Sequence, residues 1–242
     1  MKTAVITGAS SGIGKLLVDQ LLNMGWKVYG ISRTQPATES KNFIWVQCDL
    51  SKTDSISDKL KTISTPVIDL LVSNAGTAFE EPASCASRES YEKMFSVNVL
   101  APMLLVSCLK EKIQESTIIS VSSVADRLVE KNFALYCSSK AANTRYFESL
   151  ADELSIAKIY TLLPDYVDTP MLQRLQKGRE FDWSSTIKAA DIAVLILNLY
   201  NGNIKIASGS NIIVVTDGLI GDLKSTEHLY GFNTDTKKLT IL

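Results

Sequence analysis

A tyrosine and a lysine four residues apart, Tyr136 and Lys140, are the pair in this sequence whose types and spacing could do proton chemistry. Residues 132–153 carry a recurring apolar face that predicts a helix, on which the two side chains would be neighbours. A lysine ammonium one turn away favours the tyrosinate, so we expect the pKa of Tyr136 to fall from about 10. The pair is therefore a candidate proton donor and acceptor near neutral pH.

A serine is expected to reach the same place. Residues 116–123 form an apolar, β-branched run that ends in hydroxyls, which predicts a buried strand. Its carboxyl end would deliver Ser123, thirteen residues before Tyr136. On this stretch alone the alternative stays open that Tyr136 and Lys140 are an ordinary i, i+4 pair on a solvated helix face.

The start of the chain predicts a phosphate site. A short apolar strand over residues 2–7 runs into a glycine turn and then an amphipathic helix. Glycines in this setting let the backbone approach a pyrophosphate, and the helix N-terminus supplies free N–H groups. The spacing is G-x-x-x-G-x-G rather than G-x-G-x-x-G. The candidate cofactor-binding residues in the turn are Gly8, Ser10, Ser11, Gly12, Ile13 and Gly14.

The second predicted strand, residues 26–32, ends in Ser32 and Arg33, where a dinucleotide fold meets the adenosine ribose. A carboxylate here would accept hydrogen bonds from the 2′-hydroxyl, whereas an arginine suits a 2′-phosphate. No acidic residue stands at this strand end. We therefore expect NADP(H) to be preferred, with NAD(H) as the alternative. Arg33 could also be a solvated loop charge.

Later strands also end in polar or turn-forming residues. The sites expected at these ends are Asp49 and Leu50, then Asn74, Ala75 and Gly76, and finally Pro164, Val167 and Thr169. Asn98 lies inside an otherwise apolar stretch, and a buried amide needs partners. From the sequence alone it is either a satisfied core asparagine or part of a polar site.

Strands that alternate with helices predict an α/β fold: a Rossmann-type, three-layer, doubly wound parallel sheet of about seven strands. We expect a single domain over residues 1–242, with a short substrate-loop insert at about 166–186. Beyond the strand ends, where ligands bind in such sheets, lie apolar side chains that could line a pocket. These are Phe79, Tyr166, Met171, Phe181 and Trp183.

Composition narrows the function classes. The net charge is −1 and the pI about 5.9, so no electrostatic footprint for nucleic acid is present. No apolar run reaches the length of a membrane span, and the first residues are too short a stretch for a signal peptide. Four cysteines without C-x-x-C spacing suggest free thiols in a cytoplasmic protein. The single histidine, His228, excludes a multi-histidine metal site and is expected at the surface.

Taken in order, these motifs resemble the short-chain dehydrogenase/reductase family in its branch of roughly 250 residues. The resemblance runs from Thr7 to Gly218 and includes the Tyr-x-x-x-Lys motif. It implies that Tyr136 is the general acid/base and that Ser123, rather than Ser122, hydrogen-bonds the substrate oxygen. It also implies that Lys140 binds the nicotinamide ribose and lowers the tyrosine pKa. Asn98 would hold a water in the proton relay.

The sequence departs from the family pattern at two places. Asp165 stands where the family usually has glycine, which places the geometry of the nicotinamide-side loop in question. The Asp217-Gly218-Leu219 stretch lacks a second glycine, and no motif accounts for residues 227–242. Family members of this length usually pair through the helices that carry Asn98 and Tyr136. They often form tetramers through the last helix and strand, so we expect a homodimer or homotetramer.

The resemblance implies an NADP(H)-dependent reductase that converts a small ketone or aldehyde to an alcohol. One alternative is the acyl-carrier ketoreductase of fatty-acid synthesis, although Glu80 and Glu81 would repel an acidic carrier protein. A sugar epimerase of the longer family branch fits less well, because its glycine spacing is absent. The alternative from another class is a non-catalytic NADP sensor or scaffold.

Overall fold

A computed structural model describes residues 1–216 and 229–241 of the chain. In this part the strands are β1 (Thr3–Thr7), β2 (Lys27–Ser32), β3 (Phe43–Gln47), β4 (Leu70–Ser73), β5 (Thr117–Val121), β6 (Lys158–Pro164), β7 (Val167–Asp168), β8 (Ile187–Lys188), β9 (Ser210–Val215), β10 (Leu229–Asn233) and β11 (Lys238–Ile241). The helices are α1 (Gly12–Asn23), α2 (Ile56–Leu60), α3 (Arg88–Phe95), α4 (Ala101–Leu109), α5 (Ala134–Glu153), α6 (Pro170–Leu175) and α7 (Ala189–Tyr200). His228 and the Asp217-Gly218-Leu219 departure lie outside the described residues.

The main sheet confirms the predicted Rossmann-type class. Its strand order is β11-β10-β9-β6-β5-β4-β1-β2-β3, and every pair is parallel except β10 with β11. The order reverses between β1 and β4, which is the switch point where open α/β sheets bind ligands. A second, two-stranded sheet pairs β7, inside the predicted substrate-loop insert, with β8, which directly follows the insert.

Each face of the sheet is covered by helices because successive strand residues point to opposite sides. In β1, Ala4 and Ile6 pack with the apolar faces of α1 and α7. Val5, between them, packs on the other side with α2, α4 and α5. The central strands are therefore buried on both faces, as parallel strands usually are.

The sheet has nine strands in the described residues, so the prediction of about seven was too low. The two additional strands, β10 and β11, come from the tail that no motif explained. The turn between them is held by Asn233, whose Oδ1 accepts hydrogen bonds from the N–H groups of Asp235 (2.9 Å) and Thr236 (2.8 Å). A polar turn between two apolar runs is a hairpin signal that the sequence did contain.

One helical run bears on the expectation that the chain contains no membrane span. Arg88–Lys112 is long and apolar enough, by length and composition alone, to cross a membrane. A core helix of a globular protein passes the same test, and this run buries Met94, Leu105 and Leu109 in the core. It consists of α3, a π turn (Ser96–Leu100), α4 and a final 3₁₀ turn, Lys110–Lys112.

Candidate active site

The carboxyl ends of the central strands open into a cleft of about 520 Å³. The structure brings nearly all of the predicted site residues to its wall: Gly8, Ser10, Ser11, Gly12, Ile13, Ser32, Arg33, Asp49, Leu50, Asn74, Ala75, Gly76, Ser123, Tyr136, Lys140, Pro164, Val167 and Thr169. Two predicted residues, Gly14 and Asn98, lie behind this wall. The cleft therefore runs from the glycine turn and Arg33 at one end to Tyr136 at the other.

The glycine turn forms a cradle that side chains would fill. Gly8 (φ +71°) and Gly12 (φ +53°) have left-handed backbones that favour glycine. A Cβ on Gly14 would lie 2.4 Å from the carbonyl oxygen of Gly8, so only glycine lets α1 approach β1 this closely. The N-cap residue Ser11 makes no side-chain capping bond, which leaves the first N–H groups of α1 for a ligand. The residues present thus fit a dinucleotide diphosphate.

Thr7, which begins the glycine motif, was not among the predicted site residues, yet its side chain shapes the site. Its hydroxyl oxygen accepts hydrogen bonds from the N–H groups of Asn74 and Ala75, both at 2.9 Å. The Asn74 side-chain amide donates to the Thr7 carbonyl at 2.9 Å. These bonds tie the end of β4 to the end of β1 and fix the middle of the cleft floor. A threonine at the last position of β1, before the glycines, was the available signal.

At the adenosine end, Arg33 is exposed on the cleft wall and has no ion pair among the described residues. Ser32 differs, because its hydroxyl donates to the Thr34 carbonyl (2.8 Å) and accepts from Trp45 Nε1 (3.1 Å). Burial works to raise the pKa of Asp49, but hydrogen bonds from Ser51 and the Arg33 charge together hold it below its ordinary value. Of Ser32, Arg33 and Asp49, Arg33 is thus the one without a hydrogen bond or ion pair among the described residues.

The two adjacent serines after β5 have different environments. Ser122 is buried; its hydroxyl donates to the Lys140 carbonyl (3.2 Å) and accepts from Thr144 Oγ1 (3.1 Å). Ser123 is half-buried, and its Oγ accepts a 3.2 Å hydrogen bond from the N–H of Ala125. Its side chain also hydrogen-bonds Tyr136 in the cleft.

The expected fall in the pKa of Tyr136 is wrong for this structure. Burial raises the pKa of Tyr136 to about 12, and a hydrogen bond with the Ser123 side chain opposes that rise only in part. The Lys140 ammonium does not offset the burial, because its Nζ lies 5.7 Å from the ring centroid and donates to the Val121 carbonyl at 3.1 Å. At neutral pH Tyr136 therefore carries its proton.

Lys140 is almost fully buried, at 5% exposure. Burial lowers the pKa of its ammonium to about 8, and the Asp126 carboxylate opposes that fall. A lysine with such a pKa is charged at neutral pH and loses its charge just above it. Strongly shifted groups in a cleft are typical of functional sites.

Asn98 is a satisfied buried asparagine that also shapes the site. Its Oδ1 accepts from the N–H of Thr77, and its Nδ2 donates to the Thr77 carbonyl and to Ser139 Oγ, each at 2.9 Å. Its own carbonyl accepts from Asn143 Nδ2 at 2.9 Å. It sits in the π turn, a helix distortion that often occurs at functional sites. Its role in holding a relay water stays a prediction.

Asp165 does not distort the loop that follows β6. It has no left-handed backbone angle, so the position does not require glycine. Its N–H donates to the Val214 carbonyl at 3.0 Å, which continues the sheet register. The side chain lines the cleft, and burial raises the pKa of its carboxyl. The departure therefore changes the charge of the cleft rather than its backbone.

Tyr166, at the edge of the cleft, begins a row of three aromatic rings. The rings of Tyr166 and Phe181 lie 5.3 Å apart, and those of Phe181 and Trp183 lie 5.0 Å apart. Tyr166 also donates a 2.8 Å hydrogen bond to Glu130, which joins the loops on the two sides of the cleft. Of the predicted pocket residues, Tyr166 and Met171 line the cleft, whereas Phe79, Phe181 and Trp183 do not.

Comparisons with known proteins indicate the same family as the sequence motifs. A family model described as short chain dehydrogenase matches residues 2–180. The chain is 32% identical to L-xylulose reductase of Bos taurus over 183 residues, which cover 71% of this chain and 74% of that relative. It is 27% identical to a benzil reductase, described as (S)-benzoin forming, of Bacillus subtilis, over 76% of this chain and 82% of that relative.

Among solved structures, a short chain dehydrogenase family protein from Francisella tularensis superposes with a TM-score of 0.81. The two are 26% identical, and the match covers 88% of this chain and 96% of that one. The part of this chain that the family model matches contains the glycine turn, Arg33, Ser123, Tyr136 and Lys140.

Proposed function

Because the chain belongs to the short-chain dehydrogenase/reductase family of oxidoreductases, we propose that it is an NADP(H)-dependent carbonyl reductase that converts a ketone or aldehyde to an alcohol. The observation that carries this proposal is the convergence of Ser123, Tyr136 and Lys140 on one wall of the cleft. The other end of the same cleft presents the glycine cradle and Arg33. A nicotinamide dinucleotide and a small carbonyl compound fit this division.

In the proposed reaction the protein positions the reactants and supplies a proton. The nicotinamide, when bound, supplies the hydride to the carbonyl carbon. Tyr136 Oη donates its proton to the substrate oxygen, and Ser123 Oγ donates a hydrogen bond to the same oxygen. Lys140 would hold the nicotinamide ribose through its ammonium. A tyrosine whose raised pKa keeps the proton on it at pH 7 is suited to the reductive direction.

The proposed preference for NADP(H) over NAD(H) rests on Arg33. A guanidinium can meet a 2′-phosphate with charge-assisted and bidentate hydrogen bonds. No carboxylate follows β2 directly, and Asp49 at the end of the next strand is already bonded to Ser51. The end of the cleft next to β2 therefore offers a cation to the ribose rather than an acidic clamp.

The acyl-carrier ketoreductase remains the second candidate, and the structure weakens one argument against it. Glu80 is ion-paired with Arg179, and Glu81 is hydrogen-bonded to Ser87 and Ser90. The acidic stretch is therefore partly neutralised within the chain and repels an acidic carrier less than the bare sequence suggests. An acyl thioester belongs in any substrate test. The non-catalytic NADP sensor predicts binding without turnover.

We also propose an oligomeric state and a cellular location for the protein. We expect a cytoplasmic protein that binds neither nucleic acid nor membrane and forms a homodimer. In family tetramers the last strand of the conserved sheet takes part in assembly, and here that strand, β9, is paired along its outer edge with β10. This pairing favours a dimer over a tetramer built on β9.

The test is oxidation of NADPH followed at saturating cofactor with a panel of carbonyl compounds. The panel contains L-xylulose, benzil, simple ketones and aldehydes, and a 3-ketoacyl thioester. Turnover with a free carbonyl compound supports the reductase, and turnover confined to the thioester supports the ketoreductase. Tight NADPH binding with no turnover on any member would contradict both and support the sensor.

A further inference from the structure

Glu130 is an acidic residue on the cleft wall for which the proposed reaction has no use. It is half-buried and lies in the loop between the 3₁₀ turn Val124–Asp126 and α5. Its Oε1 atom accepts a 2.8 Å hydrogen bond from the Tyr166 hydroxyl, and its Oε2 atom has no hydrogen bond or ion pair among the described residues. A carboxylate oxygen without a partner on the wall of a cleft is an acceptor that a ligand can use.

Two contacts place Glu130 beside the tyrosine that donates the proton. The Glu130 carbonyl oxygen accepts a 3.1 Å hydrogen bond from the N–H of Phe133, whose ring centroid lies 6.4 Å from that of Tyr136. All three residues line the same cleft. Burial is the main cause of the raised pKa of Tyr136, and the Glu130 charge adds to it. A carbonyl compound bound at Tyr136 therefore shares this part of the cleft with Glu130.

Tyr166 holds the Glu130 carboxylate in place from the loop that follows β6. Its ring lies at 88° to that of Phe181, with 5.3 Å between the two centroids. Phe181 is backed in turn by Trp183, at 5.0 Å. A ring that is packed on one side and hydrogen-bonded at its hydroxyl has few orientations. Glu130 therefore meets a ligand with its carboxylate already positioned.

Cations border the same part of the cleft along the loop that follows β4. A Cβ on Gly76 would lie 3.6 Å from Lys140 Nζ, so this loop begins beside the buried ammonium. Two residues on, the Ala78 carbonyl accepts a 3.4 Å hydrogen bond from Arg174 Nη2, and Lys93 also lines the wall. Neither Arg174 nor Lys93 has an ion pair in the part of the chain that the structure describes. The cleft therefore carries positive as well as negative charge.

This mixture of charges disfavours a substrate with a charge of its own. Asp165 adds a second carboxyl group to the wall, next to Tyr166. A cationic substrate would be repelled by Lys140 and Arg174, and an anionic one by Glu130. A neutral compound with a hydroxyl group avoids both penalties. Its hydroxyl can also donate to the unpaired oxygen of Glu130, which an ether or a hydrocarbon cannot do.

We propose that the substrate is a neutral, hydroxylated ketone or aldehyde, and that Glu130 selects it by accepting a hydrogen bond from a substrate hydroxyl. Tyr166 acts as a positioning residue that holds the carboxylate. The inference rests on the proposed carbonyl reduction at Tyr136 and names the class of carbonyl compound that is reduced. The substrate hydroxyl keeps its proton, while the hydride and the Tyr136 proton go to the carbonyl group.

The test compares kcat/KM at saturating NADPH for matched small ketones. Hydroxyacetone and 4-hydroxy-2-butanone carry a hydroxyl group, their methyl ethers carry an acceptor alone, and butanone and 2-pentanone have the same chain length without either. Pyruvate and aminoacetone add a negative and a positive charge. The parent should favour at least one hydroxyketone over its ether and its plain ketone by roughly 10–100-fold, the size of a hydrogen bond to a charged group.

Three variants assign this preference to Glu130. Glu130→Gln keeps the size of the side chain but loses its charge, so kcat/KM should fall about tenfold for the hydroxyketone and stay within about twofold for the plain ketone. Tyr166→Phe removes the bond that holds the carboxylate and should reduce the same preference by a smaller factor. Glu180→Gln changes an exposed carboxylate of the insert outside the cleft and is the matched control. NADPH affinity should be unchanged in all three.

The proposal is overturned if the parent reduces plain ketones or methyl ethers as well as hydroxyketones, or if it prefers pyruvate or aminoacetone. Reduction of benzil together with none of the hydroxyketones has the same meaning. An equal loss on hydroxyketone and plain ketone in Glu130→Gln would show general support of the site rather than selection. If Glu130→Gln does not fold, an unchanged preference in Tyr166→Phe overturns the proposal, as does failure of both variants to fold.

The pattern of turnover separates this inference from the proposed function. A parent that reduces free ketones without regard to a hydroxyl group contradicts the inference and leaves the carbonyl reductase standing. A parent that binds NADPH but reduces no ketone or aldehyde contradicts the reductase, and the inference falls with it. Turnover confined to the 3-ketoacyl thioester has the same consequence for both.

Discussion

The Lys140 Nζ atom lies 5.7 Å from the ring centroid of Tyr136 and is hydrogen-bonded to the end of β5 rather than to the tyrosine hydroxyl. The lysine thus faces the ring and leaves the hydroxyl to Ser123. In this arrangement the two residues hold separate protons. Tyr136 keeps its proton well above neutral pH, and Lys140 keeps its own only up to about pH 8.

The first prediction concerns the charge on Lys140. Its pKa is lowered to about 8, so the ammonium is present below that pH and is lost above it. Lys140→Met should weaken NADPH binding at pH 7 by roughly tenfold or more, the size of a hydrogen bond to a charged group. The dependence on pH near 8 should disappear in the variant. Lys131→Met, an exposed lysine outside the cleft, is the control; if its affinities match those of Lys140→Met, the assignment fails.

The second prediction separates the adjacent serines. Ser123→Ala removes the hydroxyl that faces the cleft and should lower kcat by roughly 10²-fold or more, with little change in Tm. Ser122→Ala removes two buried hydrogen bonds and should cost about 1–2 kcal/mol of unfolding free energy. Steady-state kinetics and thermal unfolding on both variants check this. The reverse pattern would show that Ser122 is the reacting serine.

The third prediction concerns the cofactor. Arg33→Ala should weaken NADPH binding about 10–100-fold, because a charge-assisted contact with the 2′-phosphate is lost, and should leave NADH binding unchanged. The single variant is preferable to one that also changes Ser32, whose buried hydroxyl is bonded to Thr34 and Trp45. Lys52→Ala, an exposed cation near Asp49, is the matched control. If the parent binds NADH as tightly as NADPH, Arg33 does not contribute to cofactor preference and the prediction is contradicted.

The fourth prediction concerns assembly. The outer edge of β9 is paired with β10, so β9 does not offer the tetramer contact expected from the family. The other contact expected from the family is between the helices that carry Asn98 and Tyr136. Leu100, 42% exposed, and the exposed Cys108 lie on the helical run that includes the π turn and α4. We expect sedimentation at micromolar concentration to show a dimer. A monomer or a stable tetramer would contradict this.

Much of the fold and site could be predicted from the sequence because its signals are local. The glycine turn, the buried strands and the Tyr-x-x-x-Lys spacing each act over a few residues, and the parallel sheet brings their ends together. The pKa of Tyr136 could not be predicted, because helical spacing does not say how deeply the ring is buried or which way the ammonium points. The environment of Asp126 was also hidden, since it depends on Thr144 and Glu148 from another element.

The final strands were missed for a related reason. The family pattern ends near β9, and no motif accounted for the tail beyond it. Strand pairing is a contact between segments distant in sequence, and β10 gains its ladder from β9 rather than from its own composition. The turn at Asn233 could be predicted from the sequence, but the sheet edge that the hairpin joins could not.

The most direct test of the account is steady-state turnover of NADPH with an active carbonyl compound in the parent and in Tyr136→Phe, with NADPH affinity measured alongside. The variant keeps the ring and loses the proton that Tyr136 holds. The account predicts that turnover falls by roughly 10²-fold or more while NADPH affinity stays within about twofold, as expected for loss of a general acid. Turnover in Tyr136→Phe equal to that of the parent would contradict it.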